Sequence, residues 1–292
     1  MNSLTFNINL FAALQQMFQY QFMQHAFEAG TLVAIIAGIV GYFVVLRRSS
    51  FAAHALSHIG FAGAAGAVLF GISPVYGLLL FTTVGGSMMA ALSPRAAHRD
   101  VHIGTVLAFM LGIGVLFISL YTGYATEAYS ILFGEILGIS NSDVLLTLVA
   151  ALIIISIIAV VYRPLLFASL DEDVAEAKGM PTFLLGIIFM ILVAVATSIA
   201  VQVVGVLLIF SLMVTPAAIA QQLAKRPHHV VIISVAIALM ATWLGLFTAF
   251  YEPYPVSFFI TSIVFVLYLL VRFVYRRIRP LKVSQASFQN AA

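Results

Sequence analysis

Histidines in an almost uncharged chain are the residues through which this sequence could do chemistry. There are seven, and four fall in two pairs spaced i, i+4: His54 with His58 in "HALSH", and His98 with His102 in "HRDVH". On a helix that spacing puts both rings on one face. Two imidazoles one turn apart make a good chelate for a borderline divalent metal. Around the first pair, "AAHALSHIGFAGAAGA" holds ten Ala or Gly among sixteen residues. Small residues let neighbouring helices approach closely or leave room for a permeant. The plainer reading of such histidines is a hydrogen bond between helices or a reach to the inner surface. For the second pair, with Asp100 between its members, the plainer reading is a solvated loop. His228 and His229 follow Lys225, Arg226 and Pro227 and read as loop residues; His25 and Glu28 could attract a cation to the outer mouth of the first helix.

The elements that must hold these residues are membrane helices. The chain is 63% hydrophobic and 8% charged over 292 residues, with a mean hydropathy of +1.14. A soluble globular chain is nearer half apolar and a quarter charged. Cysteine is absent, which excludes disulfides and thiolate chemistry. Nine hydrophobic stretches approach the ~20 residues a span needs: roughly 27–46, 51–71, 75–92, 103–121, 144–162, 181–199, 201–223, 230–250 and 256–274. The second is weakened by its glycine and alanine. With the N-terminus outside, twelve of the thirteen Lys and Arg fall in the inner segments 47–50, 93–102, 163–180, 224–229 and 275–292. The outer connections carry Glu127, Glu135, Asp143 and Glu252 and no basic residue. Basic residues favour cytoplasmic loops, so the split predicts N-out and C-in, and the net charge of +3 reflects orientation instead of nucleic-acid binding.

The expected architecture is all-α: a single polytopic domain over 1–292 with about nine (eight to nine) transmembrane helices. Residues 1–26 form an amphipathic lead-in without the basic start of a signal peptide, and 276–292 a cytoplasmic tail. The stretch 128–140 is too short to span and reads as re-entrant or interfacial. In the inner loop 163–180, the chain is expected to break at Pro164. A short helix restarts at "LDEDVAEAKG", with Asp171 or Glu172 at its start, Lys178 near its end, and Gly179 before Pro181 as the stop. Such a helix suits docking of a cytosolic partner.

Taken together, these segments resemble the permease subunit of bacterial manganese/zinc/iron ABC importers over about residues 27–275. "RRSSFAAHALSHIGFAG" is similar to a segment with an Asp-Ala-Leu-Ser-His core, and "RDVHIGTVLAF" to an Asp-x-x-Ile-Gly element. "SLDEDVAEAKGMP" resembles the coupling-helix pattern Leu-Asp-x-x-x-Ala-x-x-x-Gly, and "VGVLLIFSLMVTPAAIA" a Val-Gly-x-Leu-Leu…Pro-Ala-Ala-x-Ala signature. The resemblance implies a multi-pass protein of the bacterial inner membrane with no ATPase site of its own. Its implied partners are a second copy of itself, two ABC ATPase subunits and an extracytoplasmic metal-binding protein. It further implies no resident cofactor, only a transported divalent metal.

It places Leu170, Asp171, Glu172, Ala175 and Gly179 against the ATPase. It makes His54 and His58 the metal residues, one pair from each protomer; Asp100 and His102 are further candidates from the second i, i+4 pair itself. His58 matches the family histidine, whereas His54 stands where relatives carry aspartate. Four imidazoles favour zinc, with manganese or iron as the alternatives. A membrane di-iron oxygenase built on the HxxxH boxes is the rival of another class. A proton-driven secondary transporter would leave the coupling-helix pattern unexplained.

Overall fold

The computed structural model describes residues 15–92, 99–121, 138–252 and 254–278, and among these the regular elements are all helices. In chain order they are α1 Gln21–Leu46, α2 Ser50–Leu69, α3 Pro74–Leu92, α4 Arg99–Leu120 and α5 Asn141–Leu170. Then come α6 Glu172–Ala177, α7 Thr182–Val204, α8 Val206–Leu223, α9 Pro227–Tyr251 and α10 Val256–Ile278. All but the short α6 are long and apolar enough to cross a bilayer, which matches the nine expected spans. The segment 122–137, and with it most of the expected re-entrant stretch, lies outside the described residues. So do His98, Glu127, Glu135, positions 1–14 of the lead-in and the tail beyond 278.

Helix α1 is the hub, packed by α9, α8, α5 and α7. A second group forms as α2 packs on α3 and α4, and α3 packs on α7. In an apolar solvent, helix association needs close backbone approach and polar ties more than hydrophobic burial. Both are present. Gly63 of α2 and Gly77 of α3 face each other so closely that a Cβ on either would fall on the other's carbonyl oxygen. Between α3 and α7 the Thr82 and Ser198 hydroxyls hydrogen-bond at 2.5 Å, fully buried. Near the start of α5, Ser140 and Asp143 form a reciprocal cap, and Gln202 of α7 donates to the same carboxylate at 2.8 Å.

Two expectations are corrected. The chain does not break at Pro164; α5 runs through it to Leu170, thirty residues in all. Breaking a helix in or near hydrocarbon exposes several backbone groups, whereas one proline removes a single hydrogen bond, so the helix propagates. At about 1.5 Å per residue α5 is ~45 Å long, well beyond the ~30 Å apolar layer, and its end projects as a stalk for α6. The boundary between the sixth and seventh spans is also later than expected, at Gly205 and not near position 200. Gly205 has φ +83°, a conformation glycine adopts without Cβ strain, and it ends α7 while opening α8.

Candidate metal path and coupling helix

Close packing of α2 decides where its histidines point. Between Phe51 and Ala67 every residue is buried except Phe51, His54, His58 and Phe61. Their spacing of three, four and three places them in one stripe, the single uncovered face of a helix otherwise enclosed by its neighbours. The two imidazoles stand edge to face, ring centres 4.6 Å apart with planes at 82°. Phe210 of α8 packs against His54, centre to centre 4.9 Å. The Nδ1 of His54 is buried and has no hydrogen-bond partner. Ser57, between the histidines, is turned inward and bonds the Ala53 carbonyl at 3.1 Å. Two imidazoles so placed are a pair of nitrogen donors, short of the four that a tetrahedral ion takes.

Asp100 and His102 do not join that pair. Asp100 is exposed in the first turn of α4 and His102 is half-buried. Gly114 of α4 lies against Ala62 of α2. Ile103, next to His102, lines a cleft with Ser49 and Ala52, the end of α2 before His54. Among the described residues, no group of three or more His, Asp or Glu is arranged to hold a metal ion. His228 and His229 neighbour each other at the start of α9, ring centres 4.2 Å apart. His25 is used structurally: its Nδ1 lies 3.0 Å from the Ile139 carbonyl.

The short helix expected in the inner loop is present, with sharp ends. Asp171 is its N-cap, the carboxylate accepting from the Val174 amide at 3.0 Å. Gly179, at φ +77°, ends it, while the Met180 amide reaches back to the Ala175 carbonyl at 3.1 Å. Ala175 is fully buried in a cluster with Ala168 and Leu185, and the Lys178 ammonium sits 5.1 Å above the Phe167 ring. That leaves Leu170 and Val174 exposed on the far face, at 65% and 43%. Leu170 and Asp171 flank the helix start, Glu172 opens it and Gly179 closes it. The sequence reading did not single out Phe210 or Arg47; Phe210 lay inside the 204–220 motif, with nothing local to mark it as a wall of the histidine site.

The chain matches the ABC 3 transport family over residues 19–275. It is similar to the manganese transport system membrane protein MntC of Listeria monocytogenes, 29% identical, covering 81% of this chain and 85% of that one. It is also 32% identical to a membrane protein of Cyanophora paradoxa encoded in the ycf23-apcF intergenic region, over 87% of each chain. Among solved structures it superposes on PsaBC from Streptococcus pneumoniae with a TM-score of 0.80 and 27% identity, covering 90% of this chain and 95% of that chain. The nine long helices, the order of the motifs and these matches agree, and the chain belongs to the ABC 3 transport family as a membrane-spanning permease component.

Proposed function

We propose that this chain is the permease subunit of an ATP-driven importer for a divalent transition metal, zinc in the first instance. The observation that carries this reading is the His54–His58 pair on the one uncovered stripe of α2. Two nitrogen donors do not complete a tetrahedral shell. A second copy related by a two-fold axis would bring two more, because an isologous contact presents the same stripe from both sides. Four neutral imidazoles suit zinc, while manganese prefers oxygen. Manganese is the second reading, supported by the names of the relatives, MntC and the permease ScaB of Streptococcus parasanguinis. The oxygenase reading requires the histidine boxes to converge, and the described residues give it no support.

In this reading the membrane is the bacterial inner membrane, the N-terminus is outside and the C-terminus inside. Two ABC ATPases engage α6 on the cytoplasmic face, and an extracytoplasmic metal-binding protein delivers the ion on the other. The test is uptake of radiolabelled zinc and manganese by the reconstituted complex. Zinc- or manganese-dependent uptake that requires ATP is expected; no uptake of either would overturn the reading.

The orientation has its own test, aided by the absence of native cysteine. Cysteines placed at Glu127 and Glu252 should react with an impermeant maleimide in intact cells. One at Ser169, at the end of the α5 stalk, should react only after permeabilisation. Labelling of position 169 in intact cells would reverse the topology.

A further inference from the structure

The turn that joins α1 to α2 is held by two other elements at once. The Arg47 guanidinium lies 5.2 Å from the centre of the Phe189 ring on α7 and donates to Ser169 Oγ on α5 at 3.3 Å. Ser169 in turn donates to the Leu165 carbonyl at 2.5 Å. It stands two residues before Asp171, the cap of α6. A guanidinium is suited to this double role, because its planar fork stacks on an aromatic face while its edge donates.

On the other side of Arg47 the backbone leaves little slack. The Ser49 amide donates to the Val44 carbonyl at 2.8 Å and the Arg48 amide to Val45 at 3.1 Å, closing the end of α1. Arg48 adopts φ +53°, the one non-glycine among the described residues with a positive value. Ser49 is 4% exposed, and its hydroxyl donates to the Arg47 carbonyl at 3.3 Å. Helix α2 starts at the next residue. His54 follows one turn later, about 6 Å along the axis. A cleft of about 30 Å³, lined by Arg47, Ser49, Ala52, Glu172 and Phe189, lies between the first turn of α2 and the first residue of α6.

We propose that Arg47 is a positioning residue that carries displacement of the coupling helix to the His54–His58 stripe. The inference rests on the permease reading, since it needs an ATPase to move α6. A tie made by one side chain, between the end of α5 that leads into α6 and the turn that opens α2, supplies the physical connection that such coupling requires.

The test uses the assembled permease–ATPase complex in lipid nanodiscs, with a fluorescent probe on Phe51→Cys at the start of α2. Addition of ATP to the otherwise unaltered complex is expected to change the probe signal. In Arg47→Gln that change should fall about tenfold, while ATP hydrolysis stays within about twofold. Ser169→Ala removes the acceptor of the Arg47 hydrogen bond, together with the local bond to the Leu165 carbonyl, and should lose part of the signal. The Arg47→Gln, Ser169→Ala double variant should be no worse than Arg47→Gln alone, as expected of two groups in one connection. Should Arg47→Gln fail to assemble, the Ser169→Ala result decides alone. An undiminished probe response in either variant overturns the inference. So does a loss of probe response in the same proportion as a loss of hydrolysis, which marks a merely structural clamp. These results leave the permease reading standing, whereas failure of any ATPase to bind the unaltered chain overturns both.

Discussion

Replacing His58 with alanine is expected to abolish uptake of both zinc and manganese, while His54→Asp raises manganese uptake relative to zinc. Both residues lie on the uncovered stripe of α2, so neither substitution opens a cavity in the core. Changes at such positions alter stability by no more than about 1 kcal/mol, so the complexes should assemble normally. The effect on the ion is far larger. Loss of a supporting residue around a metal already costs 10–100-fold, and loss of a direct ligand from each protomer should cost on the order of 100-fold or more. His54→Asp works differently. It replaces a neutral nitrogen donor by an anionic oxygen donor in each copy, which lowers the uncompensated charge around a divalent ion and suits manganese.

The inward side of His54 strengthens the expectation. Its Nδ1 is buried without a partner, so no structural hydrogen bond is lost when the ring is removed. Uptake of both radiolabelled metals, measured in the two variants and in His54→Ala, decides the matter. Wild-type transport by both alanine variants would make the pair purely structural and put the path elsewhere.

The second large effect concerns docking of the ATPase. The double variant Asp171→Ala, Gly179→Trp should lose ATP-driven uptake about tenfold or more, with the membrane part still folded. Asp171 caps α6 through the Val174 amide. Removing such a cap costs about 1 kcal/mol. For a six-residue helix that is a large share, since helices this short are marginal by themselves. Gly179 sits at φ +77°, where a residue with a Cβ costs roughly 1–2 kcal/mol. A Cβ there would meet nothing within 4 Å, so the indole would project away from the protein, into the space a docking partner needs. The nine long helices do not depend on either residue. Thermal unfolding of the detergent-solubilised permease should therefore barely move, while ATPase binding, stimulated hydrolysis and uptake fall. Normal stimulation and uptake in the double variant would remove α6 from the docking surface.

Much of this protein is legible along the chain. The number of spans follows from hydropathy, because each long apolar stretch must bury its own backbone polar groups as a helix once in lipid. The short helix α6 is equally local: the aspartate cap, the run "EDVAEA" and the glycine at positive φ lie within nine residues, and each acts on its nearest turn. The histidine pair and its small-residue setting are also visible in the sequence, as is the lopsided distribution of Lys and Arg.

What the sequence could not decide is which face of each helix is covered. In a membrane both the lipid and the protein core are apolar, so hydropathy does not separate them. Helices such as α4 and α5 are apolar all round, and only packing turns Leu152 and Val160 outward while Ile154 and Ile158 turn inward. The stripe Phe51, His54, His58, Phe61 became visible only once α3, α4, α7 and α8 had closed over the rest of α2. Continuation through Pro164 was not read from the sequence either; it is set by the cost of unpaired backbone in hydrocarbon against one lost bond. The tie from Arg47 to Ser169 joins residues more than a hundred positions apart. No local pattern encodes it, because the contact exists only when the ends of α1, α5 and α7 meet at the same level of the bundle.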